Sequence, residues 1–127
     1  MTELQDQQRD YLMRAVEERG VRLVRLWFTD ILGNLKSFAI SPAELENALA
    51  DGMTFDGSSI EGFSRIQEAD VLAIPDPNTF ELLPFGDTKT PEARIFCDIH
   101  NLDGAPFDGD CRHVLKRHVQ AAHREGL

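Results

Sequence analysis

The chain has 127 residues, of which 42% are hydrophobic and 28% are charged, so it is long enough for one domain with an ordinary core. Its 22 acidic and 13 basic residues give a formal net charge of -9, which argues against nucleic acid and anionic membrane surfaces as partners. No apolar run approaches the roughly 20 residues of a membrane span. The polar amino terminus and two cysteines without metal or disulfide spacing lead us to expect a cytoplasmic protein with no metal site of its own.

The first fifty residues predict a helix, a hairpin and a second helix. Residues 3–19 carry apolar side chains at helical spacing, and Gly20 is placed to end that helix. The predicted buried stripe is Leu4, Tyr11, Leu12, Ala15 and Val16. Residues 21–29 and 35–40 are rich in β-formers and flank a turn, which predicts a hairpin. Ser41-Pro42-Ala43-Glu44 has the capping residue, first-turn proline and glutamate of a helix start, and Gly52 marks its end.

The second half predicts strands followed by a helix. Residues 70–74 and 93–99 have strand composition, and residues 79–83 offer a further short strand. Cys97 lies in an apolar strand and is expected to be a small core residue. Asp110 is placed to cap a last helix that carries Leu115, Val119 and Ala122 on one face.

This order of elements predicts an α+β fold. A strand pair, a crossing helix and further strands give a β-grasp-like mixed sheet, preceded by an amino-terminal amphipathic helix. The adjacent Trp27 and Phe28 must point to opposite faces of their strand. One of them can fill the core, and the other needs cover from the first helix or a neighbouring subunit.

The stretch from Phe55 to Phe63 is where small, polar and acidic residues crowd together without a regular period. Asp56, Ser58, Ser59 and Glu61 supply oxygen atoms, and the stretch lacks the lysine of a phosphate-binding Walker loop. It also lacks the Gly-x-Ser-x-Gly of a nucleophile elbow. Such a loop suits a cation, an amine, or a hydrogen-bond network with its own backbone.

Several motifs in order resemble the amino-terminal region of type I glutamine synthetases. They span nearly the whole chain: residues 53–63, Glu68-Ala69-Asp70, Pro75-Asp76-Pro77, residues 93–99, residues 103–107 and residues 109–112. The resemblance implies a β-grasp domain of an enzyme that joins ammonia to glutamate with ATP and Mg²⁺ or Mn²⁺. It also implies a ring-shaped dodecamer in which the amino-terminal loop of one subunit closes the active site of its neighbour.

The same resemblance implies roles for individual residues. Asp56 would bind and deprotonate ammonium, and Ser59 would lie beside it. Asp70 would support the closing loop, and Phe63 would lie near the nucleotide end. Arg65 matches an arginine that some relatives use in inhibition by glutamine, with an interface salt bridge as the alternative role. We interpret Glu61 as a loop-shaping residue.

The implied division of the chain has three parts. Residues 1–20 form the amino-terminal helix, residues 21–103 the β-grasp domain, and residues 104–127 the start of a catalytic domain. The family's metal-binding glutamates, ATP site and glutamate-binding arginine belong to that catalytic domain, so we expect a fragment that is inactive alone. Cys111 replaces a usual proline at the last helix, which predicts a looser helix start.

Two other functions remain open from the sequence. The domain could serve a paralogue that ligates an amine, such as a polyamine, to glutamate, because an amine also arrives as a cation. Alternatively, it could be a free-standing β-grasp module that binds a partner.

Overall fold

The chain runs from a helix through a hairpin and a second helix to a series of strands and a last helix, which is an order expected for an α+β domain. The structure is a computed structural model that describes residues 3–56, 70–86 and 89–127. The helices in these residues are α1 (Glu3–Glu18), α2 (Pro42–Asp51) and α3 (Cys111–Arg124). The strands are β1 (Leu23–Thr29), β2 (Leu35–Ile40), β3 (Met53–Asp56), β4 (Asp70–Pro75), β5 (Glu81–Leu82) and β6 (Glu92–Asn101).

The strands form one mixed sheet in the order β2-β1-β6-β4-β3, with β5 paired to β6. The long strand β6 lies at the centre, parallel to β1 over its first half and antiparallel to β4 over its second half. Two strands distant in the chain are therefore side by side and parallel, with α2 connecting the hairpin to the far edge of the sheet. This topology confirms the predicted β-grasp-like α+β fold.

One face of the sheet forms the core. The inward positions of β1 and β6 alternate strictly with outward positions, as the pleat requires. The buried residues of the core come from α1, α2 and four strands, and they include Leu12, Val16, Val24, Leu26, Phe28, Ile40, Leu45, Ala48, Val71, Ala73, Ile95, Cys97 and Ile99. Cys97 is thus a core residue, as predicted. Among the described residues, no helix is long and apolar enough to cross a membrane.

Helix α1 buries less of its predicted stripe than expected. Leu12 and Val16 are buried, whereas Leu4 and Tyr11 are 63% and 72% exposed. The exposed pair lines a groove between α1 and residues 77–82. Since the sheet meets only one side of the helix, the stripe is wider than the surface that covers it. Gly20 ends the helix as predicted, with a positive φ of 64° and a bond from the Val21 N–H to the Val16 carbonyl.

Two predicted boundaries in the middle of the chain were wrong. Met53–Asp56 was assigned no strand, yet these residues form β3 because their backbone pairs with β4. Residues 79–83 were predicted as a strand, but only Glu81–Leu82 pairs, with β6. Pro77–Thr79 is a 3₁₀ turn, in which the Asp76 side chain accepts from the Asn78 N–H.

Trp27 and Phe28 point to opposite faces, as predicted. Phe28 is buried in the core. Trp27 packs edge-on against Phe96 at 5.6 Å, and the Arg94 guanidinium lies 5.6 Å from the Trp27 ring centroid. Within the described residues the contacts of the half-buried Trp27 ring come from β6, and cover by a neighbouring subunit stays a prediction.

Helix α3 is attached to the sheet by polar contacts at its amino-terminal end. The Asp110 carboxylate accepts from the Arg112 N–H at 3.1 Å and from the Ile99 N–H at 2.9 Å. Arg112 donates to Asp76 at 2.7 Å and to Asp98 at 3.0 Å, and Lys116 donates to Asp98 at 2.8 Å. Asp110 caps this helix start, and the looser start expected from Cys111 stays a prediction. No side chain along α3 itself is buried.

Candidate functional site

The candidate site lies at one end of the β3–β4 pair. Gly52 ends α2 with a φ of 77°, and a Cβ atom at this position would meet the Ala73 carbonyl oxygen at 3.2 Å. Only glycine takes this backbone geometry at so close an approach. The chain can therefore turn directly from α2 into β3, beside β4.

The register of this pair brings two predicted site residues together. Asp56, the last residue of β3, is the direct cross-strand partner of Asp70, the first residue of β4. The preceding partners, Phe55 and Val71, lie on the core side, and Val71 is buried. Because side chains alternate along a strand, Asp56 and Asp70 share the opposite face, where both are exposed.

Two carboxylates in this arrangement favour a cation. Directly opposite residues of an antiparallel pair have Cβ atoms about 4.5–5.5 Å apart, and like charges at that spacing repel. A positively charged group near both oxygens would relieve the repulsion. A carboxylate beside an ammonium group can also accept its proton.

The remaining predicted site residues lie outside the described residues. Ser59, Phe63 and Arg65 fall within residues 57–69, as does Glu61. Their roles stay predictions. The residues that flank this segment on either side are Asp56 and Asp70, which the sheet holds next to each other.

The described residues offer no ligand set for a divalent metal. Within residues 3–56, 70–86 and 89–127, no group of three or more His, Cys, Asp or Glu side chains could hold a metal ion. The Mg²⁺ or Mn²⁺ that the resemblance implies therefore does not fit this part of the chain.

Two buried carboxylates stabilise the turns around the sheet. Asp30 accepts from the backbone N–H groups of Asn34 and Leu32, and Lys36 lies 3.4 Å from it. The Asn34 hydrogen bond is the main cause that lowers the pKa of Asp30, and burial opposes it. Asp110 has the opposite balance, because burial raises its pKa more than the Ile99 and Arg112 N–H groups lower it.

Only some of these carboxylate and ion-pair contacts were recognisable in the sequence. Asp110 was predicted as a helix cap, but its bond to β6 was not. An aspartate that opens a turn containing Gly33-Asn34 is a signal for side-chain bonds to backbone N–H groups, and it could have identified Asp30. The ion pairs of Arg112 join residues distant in the chain and have no local signal.

The chain is similar to known proteins in both sequence and fold. The family model described as "Glutamine synthetase, beta-Grasp domain" matches residues 20–102. This chain belongs to the glutamine synthetase family. The match includes both carboxylates of the candidate site and the whole of the sheet from β1 to β6.

Curated relatives named glutamine synthetase come from bacteria and archaea. The protein of Mycolicibacterium smegmatis is 55% identical over 124 residues, which cover 96% of this chain and 28% of that protein. The proteins of Methanosarcina mazei and Thermotoga maritima are 46% and 44% identical, and the match covers 91% of this chain in each case. The aligned part of these two relatives is 26% of their length. The chain therefore spans about a quarter of the length of these glutamine synthetases.

A solved structure has the same fold. The structure named "GmaS/ADP complex-Conformation 1" superposes with a TM-score of 0.78 at 26% sequence identity. The superposition covers 90% of this chain and 26% of that one. It agrees with the assignment of a β-grasp domain.

Proposed function

We propose that this chain is the amino-terminal domain of an enzyme that ligates ammonia to glutamate with ATP. In this proposal Asp56 holds the ammonium ion and accepts its proton, so that ammonia can attack the activated γ-carboxyl of glutamate. The observation that carries the proposal is the exposed Asp56–Asp70 pair at the end of β3 and β4, which is suited to a cation. The family and the 55% identical glutamine synthetase support the choice of ammonium as that cation.

The loop residues have supporting roles in this proposal. Ser59 lies beside Asp56 at the ammonium, Asp70 supports the closing of the loop, and Phe63 lies near the nucleotide. Arg65 contributes to inhibition by glutamine. These assignments rest on the sequence motif, whose residues 57–69 are outside the described part.

The rest of the active site would come from elsewhere in a homo-oligomer. We propose that the Asp56 loop completes the site of a neighbouring subunit in a cytoplasmic, dodecameric enzyme. The ATP, metal and glutamate sites would then belong to a catalytic domain that begins at residues 104–127. The exposed apolar side chains of α3, among them Val114, Leu115 and Val119, support this division, because a further domain could cover them. By this proposal the isolated chain has no ligase activity.

The test is Asp56→Asn in the full-length enzyme, assayed for ATP-dependent glutamine formation. The amide keeps the size of the side chain but removes its charge and its capacity to accept a proton. Loss of general-base catalysis costs about 10²–10⁴-fold in rate, and the KM for ammonium should rise as well. Asp51→Asn is the matched control, since Asp51 is an exposed carboxylate at the end of α2.

Three outcomes would contradict parts of the proposal. Unchanged ammonium kinetics in Asp56→Asn would remove Asp56 from the site. A full-length enzyme that prefers a polyamine to ammonia would indicate the related amine ligase instead. Glutamine formation by the isolated chain would refute its inactivity.

A further inference from the structure

Three phenylalanine rings connect the edge strand β3 to the β1–β2 hairpin, which is not its neighbour in the sheet. Phe28 on β1, Phe38 on β2 and Phe55 on β3 form a cluster that we call the aromatic bridge. The ring centroids of Phe28 and Phe55 are 4.9 Å apart, and those of Phe38 and Phe55 are 5.8 Å apart. The Phe28 and Phe38 centroids are separated by 6.3 Å. All three distances are within the range of favourable aromatic pairs.

The bridge shows that the sheet curls strongly towards its core face. Strands β1 and β3 are separated in the sheet by β6 and β4. In a flat sheet, three strand spacings would put them about 14 Å apart. Since the Phe28 and Phe55 rings touch, the hairpin side and the β3 side of the sheet must approach each other over the core.

Strand β3 is a short edge strand. It has four residues and lies at the edge of the sheet, where β4 is its neighbour. Phe55 is the third residue of β3, and it points to the core side. The next residue is Asp56, which faces the other way. Any shift of Phe55 that the backbone transmits must therefore move Asp56.

We propose that the aromatic bridge positions Asp56, with Phe28 and Phe38 holding Phe55 and thereby the end of β3. This inference rests on the proposed function of Asp56. Phe55 and Phe28 act as positioning residues, because neither ring reaches the face on which Asp56 lies. The bridge connects Asp56 to the β1–β2 hairpin without a hydrogen bond between β1 and β3.

The test compares Phe55→Leu, Phe28→Leu and Phe80→Leu in the full-length enzyme. Phe80 is the matched control, because its ring also packs against the core but lies beside β5, which pairs with the opposite end of β6. We expect the ammonium KM to rise about tenfold in both bridge variants, since a shift of about 1 Å can cost up to a hundredfold. The glutamate KM should change by less than about twofold, and Phe80→Leu should leave the ammonium KM unchanged.

The double variant Phe28→Leu/Phe55→Leu tests whether the two rings act together. Because the rings are in contact, the combined increase in ammonium KM should be smaller than the product of the single increases. Where Phe28→Leu does not fold, the half-buried Phe38 provides the second variant, with the same expectation.

Some results would overturn the inference about the aromatic bridge and leave the proposed function of Asp56 valid. An effect of Phe55→Leu alone, with Phe28→Leu and Phe38→Leu unchanged, would indicate a local effect of the residue next to Asp56. An equal rise in Phe80→Leu would indicate a general loss of stability. Failure of the proposed function would appear differently, as a wild-type enzyme that does not use ammonium or an Asp56→Asn variant with normal kinetics.

Discussion

Two buried carboxylates stabilise the local backbone of this domain by accepting hydrogen bonds. Asp30 is 5% exposed and Asp110 is 2% exposed, and each accepts hydrogen bonds from at least two backbone N–H groups. Asp30 directly follows β1 and Asp110 directly precedes α3, and each accepts from backbone N–H groups that would otherwise lack a partner. The pKa of Asp30 is lowered and the pKa of Asp110 is raised, and this difference has measurable consequences.

The lowered pKa of Asp30 predicts an acid-sensitive contribution to stability. The folded-state pKa lies below the ordinary value of 3.8, with the Asn34 N–H as its main cause. The contribution is therefore complete above about pH 4 and is lost as the pH falls through the folded-state pKa. Urea unfolding of wild type and Asp30→Asn should show the larger difference in free energy at pH 7 and a smaller one near pH 3. A difference that grows on acidification would contradict this assignment.

Asp110→Asn should destabilise the domain at neutral pH. Asp110 uses one oxygen for the Ile99 N–H and the other for the Arg112 N–H, and an amide has only one acceptor oxygen. One buried N–H would lose its partner, at a cost of about 1–3 kcal/mol. Chemical unfolding at pH 7 measures this change, and Asp103→Asn, in an exposed turn, serves as the control. Equal stabilities of the two variants would refute the role of Asp110.

At the scale of elements, α3 differs from α1 and α2 in how it is held. The first two helices bury apolar side chains in the core, whereas α3 buries none and relies on Asp110, Arg112 and Lys116. Ion pairs at partly exposed positions contribute modestly and weaken with salt. The attachment of α3 should therefore be weaker and more salt-dependent than that of the other helices.

Arg112→Ala should release α3 while leaving the sheet intact. The substitution removes the contacts to Asp76 and Asp98, with an expected cost of about 1–2 kcal/mol. Hydrogen exchange should show faster exchange of α3 amides with little change in the amides of β6. Arg117→Ala, at an exposed position of the same helix, should change neither region. Uniformly faster exchange across α3 and β6 would contradict a separate attachment.

How well each element could be predicted from the sequence depends on the strength of its local signal. Segments with a strong local signal were found in the sequence: β2 and α2 have their predicted bounds, because the hairpin turn and the Ser41-Pro42 start are chemically specific. Strand β3 was missed because its four residues, although they alternate between apolar and polar, are a short signal, and they pair with β4 only in the tertiary fold. The motif identified Asp56 and Asp70, but their direct pairing depends on the register of β3 and β4, which the sequence does not show. The aromatic bridge likewise depends on the curl of the sheet.

At the scale of the whole molecule, the core and α3 respond differently to loss of apolar side chains. Leu26 is fully buried between β2 and β6, whereas Leu115 on α3 is 63% exposed. If residues 104–127 begin a further domain, Leu115 would be covered only in the longer protein. The two leucines are therefore a matched pair for testing that division.

Leu26→Ala should cost about 2–5 kcal/mol in the isolated chain, because it leaves a cavity in the core. Leu115→Ala should cost less than about 0.5 kcal/mol in the isolated chain, as expected for an exposed position. In the full-length enzyme we expect Leu115→Ala to lower the unfolding temperature measurably. An unchanged unfolding temperature there would argue that α3 remains exposed in the complete enzyme.

The central position of β6 has a consequence for folding during synthesis. This strand pairs with β1, β4 and β5, yet it is the last strand of the sheet to leave the ribosome. Until Asn101 has emerged, β1 and β4 each lack their shared neighbour and expose unpaired backbone edges. Strand pairings between segments so distant in the chain form slowly, and strand edges that remain unpaired in the meantime are prone to aggregation. Nascent chains that end near residue 86 should therefore bind chaperones, and chains extended past β6 should be released from them.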